Sequence, residues 1–204
     1  DRYKLMIGGI VPRPIAWVST VSRDGRTNLA PFSFFCGVGS DPMTVLFCPA
    51  NKPDGSEKDS LRNAKLASDG GVGEFVVNVA TEAYEKLVAA AGESLPYGES
   101  EFKLTGLTPG PSRIVRPPRV AESPIAFECR TVQVVRTNPG KAAGGNIVIG
   151  EVVHVYVRDD LINERHHIDP AKLAAIGRMG GIGYTRTRDR FDMPMGRASL
   201  PPRV

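Results

Sequence analysis

Two long alternating runs constrain this chain more than any other feature. Ile125–Arg136 sets Ile125, Phe127, Cys129 and Val135 on one face, and Asn146–Arg158 does the same with Ile147, Ile149, Val153, Val155 and Val157. Asn138-Pro139-Gly140 and Gly144-Gly145 join the pair. Upstream, Pro14–Val21 and Thr27–Phe35 flank the turn Ser22-Arg23-Asp24-Gly25 and read as a hairpin, followed by strands at Met43–Cys48 and Phe75–Ala80. Six or seven strands with turn signals and no βαβ alternation define a mostly β, antiparallel barrel with short helical insertions.

The insertions are short. Ser56, with Asp59 three residues on, is the expected N-cap of a helix running to about Ala67 and stopped by Asp69-Gly70-Gly71. Thr81 is expected to cap Glu82–Ala91, with Gly92 just past its end, and Asp169 to cap Pro170–Ile176. Between Glu93 and Ser123 the chain is rich in Gly, Pro and Ser, which reads as a surface excursion or a linker. Pro31 can donate no ladder hydrogen bond, so the second strand of the first hairpin is an edge or is bulged there.

The formal net charge of +4 suggests nucleic acid or a membrane surface until it is located. Arg178, Arg186, Arg188, Arg190, Arg197 and Arg203 outweigh Asp189 and Asp192, so residues 178–204 hold the whole excess and residues 1–177 sum to zero. An oligonucleotide-binding barrel is therefore disfavoured, because Phe32, Phe34, Phe35 and Phe47 sit in apolar runs that read as core. No uncharged run exceeds Thr27–Ser40, too short to span a bilayer, and no secretory signal is read at Asp1-Arg2-Tyr3-Lys4. Cys36, Cys48 and Cys129 are odd in number and include no C-x-x-C pair, and no N-x-S/T sequon occurs, so a reducing cytoplasm is the expected location. Cys36, behind Phe34-Phe35, is expected to be a buried structural thiol.

Dinucleotide-fold, P-loop, nucleophile-elbow and zincin motifs are all missing, and His154, His166 and His167 lack the spacing of a metal site. No metal ligand or catalytic acid–base group is expected. Three segments offer binding chemistry instead. Lys58-Asp59-Ser60 puts an ammonium and a hydroxyl at a helix start, which suits an anion; equally, Lys58 is a solvated lysine on a capped helix. Asn28-Leu29-Ala30-Pro31-Phe32-Ser33 leaves main-chain groups unpaired around Pro31, for a planar heterocycle or simply as a bulged edge. Gly177-Arg178-Met179-Gly180-Gly181-Ile182-Gly183-Tyr184 allows close backbone approach beside a cation and a ring, or is a connector to the tail.

Taken together with Val11-Pro12-Arg13-Pro14-Ile15-Ala16-Trp17-Val18-Ser19-Thr20, Asn63, Phe75-Val76-Val77-Asn78, Glu128-Cys129 and Gly150-Glu151-Val152, these segments resemble the flavin reductase-like family over residues 3–185. Ser60 stands where that family often has threonine, keeping the hydroxyl. The resemblance implies an FMN-binding split β-barrel of Greek-key topology over residues 1–185, with residues 186–204 as an Arg/Pro-rich extension. It implies that Ser19 and Thr20 meet the ribityl phosphate, and that Lys58 and Ser60 hold the phosphate itself. Main-chain groups of Asn28, Leu29, Ala30, Pro31, Phe32 and Ser33 would hold the ring, with Trp17 packed nearby, while Arg178 and Tyr184 would close the site or receive a second substrate. The implied activity is an NAD(P)H-dependent flavin reductase, a homodimer using FMN, or FAD, with NADH or NADPH as donor. It would pass electrons to a partner monooxygenase or to free flavin. The alternative the resemblance admits is a non-enzymatic FMN electron carrier reduced by a protein donor. The arginines behind Arg178 would drape over the partner subunit or stay solvated.

Overall fold

A computed structural model describes residues 2–200, so Arg203 lies outside the described residues. In chain order the elements are α1 (Arg2–Gly9), β1 (Arg13–Pro14), β2 (Ala16–Val21), β3 (Thr27–Phe32), β4 (Phe35–Ser40), β5 (Met43–Phe47), α2 (Asp59–Ala64) and β6 (Glu74–Val79). Then follow α3 (Glu85–Ala90), α4 (Glu101–Thr105), β7 (Pro109–Gly110), β8 (Arg119–Val120), β9 (Ile125–Arg136), β10 (Asn146–Val157), α5 (Pro170–Leu173), β11 (Ile176–Arg178) and β12 (Tyr184–Arg186). Seven strands form one antiparallel sheet in the order β3-β2-β6-β9-β10-β5-β4. Its two outermost strands, β3 and β4, do not pair, so the sheet curls without closing. β1, β11 and β12 make a small second sheet, in which β12 straddles the expected boundary at residue 185.

Apolar side chains leave β2 on both faces, and all six of its residues are buried. Ala16 and Val18 join the core inside the curl, where the Phe47 ring centroid lies 5.2 Å from Phe32 and 5.0 Å from Phe75. Trp17 joins a second core against Leu29, Val88, Ala91 and Phe102, formed by α3, α4 and the long 93–123 segment packing on the outer face. That segment is therefore a structured cover rather than a linker. Its apolar residues Phe102, Leu107 and Val120 supply the area that holds it down.

Several local expectations are corrected. The alternating faces of β9 and β10 hold only as far as two bulges, at Val132 and Val153, each of which inserts one residue and reverses the inward face. Val134 and Val148 consequently pack on the inner core, while Val135 is exposed. Gly150 sits beside the first bulge because a Cβ there would lie 2.5 Å from the Phe75 ring. The run Thr27–Phe35 breaks after Phe32, and Phe35 opens β4, an outer strand on which Cys36 is exposed rather than buried.

The caps differ as well. Lys58, not Ser56, precedes α2; the Ser56 hydroxyl and amide both bond Asp54 instead. Thr81 makes no side-chain cap, and the Glu82–Ala91 region is a 3-10 turn followed by α3. Asp169 does cap its helix, accepting from the amides of Ala171 and Lys172, but Ala174 with φ 46° ends it early and turns the chain into β11.

Candidate functional site

Because β3 is an edge strand, its outer side is open to ligand. A cleft of about 480 Å³ runs along it, lined by Asn28, Ala30, Pro31 and Phe32, by Lys58, Asp59 and Ser60, and by residues 52–54, 91–95 and Glu101. α2 is set on β2 and β3 by two buried amides. Asn28 Nδ2 donates to Ser60 Oγ (3.0 Å), and Asn63 Nδ2 donates to Thr20 Oγ1 (3.0 Å). Ser60 therefore accepts from Asn28 and keeps its own proton for another acceptor.

Lys58 lines this cleft with its ammonium 5.9 Å from the centroid of the Phe32 ring. Among the described residues no carboxylate lies within ion-pair distance of it, since Asp59 is engaged by Lys52 at 3.5 Å and Arg62 at 3.6 Å. The side chain is exposed, yet desolvation of the ammonium, and then the charge of Lys52, lowers its pKa below the ordinary lysine value. Helix α2 is too short for its dipole to dominate, so the cation itself is the main anion-attracting feature. An ammonium without a counter-charge beside a hydroxyl with a spare proton fits a phosphate.

The structure brings Asn28, Ala30, Pro31, Phe32, Lys58 and Ser60 together, but not every residue expected near them. Trp17 is fully buried in the outer core, with Nε1 lacking a partner. Ser19 is fully buried and its hydroxyl donates to Pro118 O (2.5 Å) while accepting from Asn78 Nδ2 (3.1 Å). Thr20 is equally buried and accepts from Asn63, so neither hydroxyl opens onto the cleft. Leu29 points into the outer core, and its amide, which faces away from β2, donates to Glu101 Oε2 (2.8 Å). Ladder alternation turns Pro31 outward in the same sense, and Pro31 has no N–H. Along β3 itself Pro31 lines the cleft and turns its carbonyl outward, whereas Leu29 is fully buried and does not reach the cleft, and neither residue offers a free N–H there.

Glu101 is a site residue that sequence reasoning missed. Burial raises its pKa, and the neighbouring Asp59 charge adds to this, while the Leu29 amide opposes them. It lay hidden in the Gly-, Pro- and Ser-rich segment; the signal was Phe102 and Leu107, apolar residues that require that segment to pack.

A second hollow of about 300 Å³ adjoins the cleft through Pro31 and Gly92 and is lined by Ile15, Ser33, Ala89, Arg178 and Tyr184. The Arg178 guanidinium lies 4.5 Å from the Tyr184 ring centroid and donates to the carbonyls of Gly181 (2.7 Å) and Gly183 (3.3 Å), so the glycine turn holds it in place. Ser33 is in turn held by Arg13, a buried arginine absent from the sequence-based candidates. Arg13 Nε donates to Ser33 Oγ (3.1 Å), and its Nη atoms donate to the carbonyls of Ile7 (2.6 Å), Ile10 (2.6 Å) and Met179 (2.9 Å). One side chain thereby ties α1, the end of β3 and the turn after β11 together.

A curled, open antiparallel sheet with a ligand cleft along an edge strand is the architecture of the split barrels. Residues 8–172 match the model of the flavin reductase like domain, and the chain belongs to that family. An uncharacterized protein of Deinococcus radiodurans is 41% identical over 200 residues, covering 94% of this chain and 83% of the relative. Among solved structures, nitrilotriacetate monooxygenase component B from Bacillus cereus superposes with a TM-score of 0.87 at 32% identity, covering 95% of this chain and 93% of that one. The 2-nitrobenzoate 2-nitroreductase NbaA of Pseudomonas fluorescens gives 0.83 at 30% identity, with 98% and 92% covered.

Proposed function

We propose that the protein is an NAD(P)H-dependent flavin reductase that holds FMN in the cleft along β3. The observation that carries this reading is the Lys58 ammonium, without a carboxylate partner among the described residues, lining one cleft together with the Ser60 hydroxyl and Ala30, Pro31 and Phe32. Lys58 and Ser60 hold the phosphate, Asn28 orients Ser60, and the Pro31 carbonyl accepts from the ring. Bound FMN would supply the acceptor for a hydride, which explains why no acid–base pair is needed from the protein. Arg178 and Tyr184 flank the hollow next to Pro31, where a nicotinamide would reach the ring and water would be displaced.

Membership of the family supports an oxidoreductase, and the likeness to a monooxygenase component supports delivery of electrons to a partner oxygenase. The likeness to a nitroreductase supports organic nitro groups as further acceptors. The active form is read as a homodimer in the cytoplasm, with residues 186–204 as an extension of the domain. No helix of the described residues is long and apolar enough to cross a membrane. The test is anaerobic oxidation of NADH and NADPH by the purified protein supplied with FMN. A rate well above that of free flavin is expected for at least one donor. A stable bound flavin that only a protein donor reduces would assign an electron carrier instead.

A further inference from the structure

Lys58 has a counterpart of opposite sign in the same cleft. Glu101, at the start of α4, is only 6% exposed and yet lines the cleft. The Leu29 amide donates to its Oε2 (2.8 Å), and among the described residues no cation pairs with it. Burial raises its pKa above the ordinary carboxylate value; the amides of Leu29 and of Glu101 itself oppose this, and the Asp59 charge adds to it. A glutamine would take the Leu29 amide without the cost of burying a charge, so fastening α4 to β3 does not by itself call for a carboxylate. Strand β3 fixes where this carboxylate stands. Ser60 bonds Asn28, Glu101 bonds the next residue, and Pro31 marks the junction with the second hollow. At about 3.3 Å per residue, Asn28 to Pro31 spans roughly 10 Å, and Glu101 falls inside that interval, between the phosphate holders and the ring end.

We propose that Glu101 recognises the hydroxylated chain that joins phosphate and ring in the flavin, accepting a hydrogen bond from one of its hydroxyls. The inference rests on the flavin reading above and adds a contact that the phosphate and ring residues do not supply. A ligand that meets Lys58 with its anion and sets its ring at Pro31 must carry its linking chain past Leu29, where the carboxylate stands. Hydroxyl donors suit that place, because they give a charged acceptor its hydrogen bond without bringing a cation beside Lys58 and Lys52. The two charges together select a polyol phosphate rather than any anion.

Riboflavin and lumiflavin test this, since both have the ring and lack the phosphate, and lumiflavin carries a methyl group in place of the hydroxylated chain. The ratio of their affinities therefore reads the chain and not Lys58. Dissociation constants are measured by fluorescence quenching for the wild type, Glu101→Gln and Glu101→Ala, with FMN alongside and a melting curve for each variant. The wild type is expected to bind riboflavin about tenfold or more tighter than lumiflavin, the range of one charged hydrogen bond. Glu101→Ala should lower that preference about tenfold while moving the lumiflavin constant less than about twofold. Glu101→Gln is isosteric and still accepts the Leu29 amide, so it carries the test if the alanine variant does not fold. It should lower the preference about threefold, because a neutral acceptor holds a hydroxyl less strongly. A wild-type preference near one, a preference that Glu101→Gln leaves unchanged, or an equal loss for both flavins overturns the proposal. In each of those cases FMN binding by the wild type leaves the flavin reading standing. Failure of the wild type to bind FMN overturns that reading itself.

Discussion

At the residue scale, Lys58 is the side chain on which cofactor affinity should depend most. Its ammonium has no carboxylate partner among the described residues, so replacing it leaves no orphaned charge behind and the loss falls on the ligand. Lys58→Ala should weaken FMN binding by about 1–3 kcal/mol, the range for charge-assisted hydrogen bonds, with thermal stability little changed; a titration calorimeter reads the first and a melting curve the second. The depressed pKa adds a signed pH effect. A bound phosphate restores the charged form, so binding takes up a proton as the pH approaches the lowered pKa of the free protein. FMN affinity should therefore fall as pH rises toward the ordinary lysine range, and Lys58→Ala should flatten that slope. Lys58 and Ser60 were proposed from sequence because a cation and a hydroxyl in one short motif carry their chemistry with them, and the structure sets both on the cleft. Ser19 and Thr20 were not, because the same hydroxyls serve either a ligand or a neighbouring amide, and only packing brought Asn78 and Asn63 to them.

At the scale of elements, β9 does more than fill the sheet. Its Glu128 is almost fully buried and accepts from three successive amides of the covering segment: Arg113 (2.8 Å), Ile114 (2.7 Å) and Val115 (3.2 Å). Ser19 reaches the same segment through Pro118 O, which fastens it beside β2. Glu128→Ala should destabilise the fold by about 2–4 kcal/mol in urea denaturation, since three buried donors lose a charged acceptor, and Glu128→Gln should cost less because it keeps one carbonyl oxygen. Strand positions were legible here: the Ile125–Arg136 run matches β9 residue for residue. Their faces were not, because a bulge changes parity without leaving a mark in the alternation of side chains.

For the whole molecule, the charge excess lies in the C-terminal stretch, and the structure ties the beginning of that stretch down. Arg186 pairs with Glu82 (3.2 Å) and Glu85 (3.0 Å), and Arg188 reaches Glu82 at 2.5 Å, a hydrogen bond that lowers the Glu82 pKa. Removing residues 189–204 should leave the melting temperature and FMN affinity unchanged. A cut after Tyr184 should lower the melting temperature measurably in calorimetry, because it removes β12 residues Thr185 and Arg186 from their pairing with β11 as well as both arginines.

Composition, turn residues and alternating runs by themselves determined the antiparallel class, the long strands β9 and β10, and the cation–hydroxyl motif at Lys58 and Ser60, while leaving open whether the Pro31 strand is an edge or a bulge. These are local properties, set by which residues can donate, twist or cap. Tertiary structure alone decided which hydroxyls face the cleft, that Glu101 takes the Leu29 amide, and that Arg13 ties three segments together. Each of those depends on partners brought from 20 to 166 residues away, and chain packing, rather than local preference, selects them.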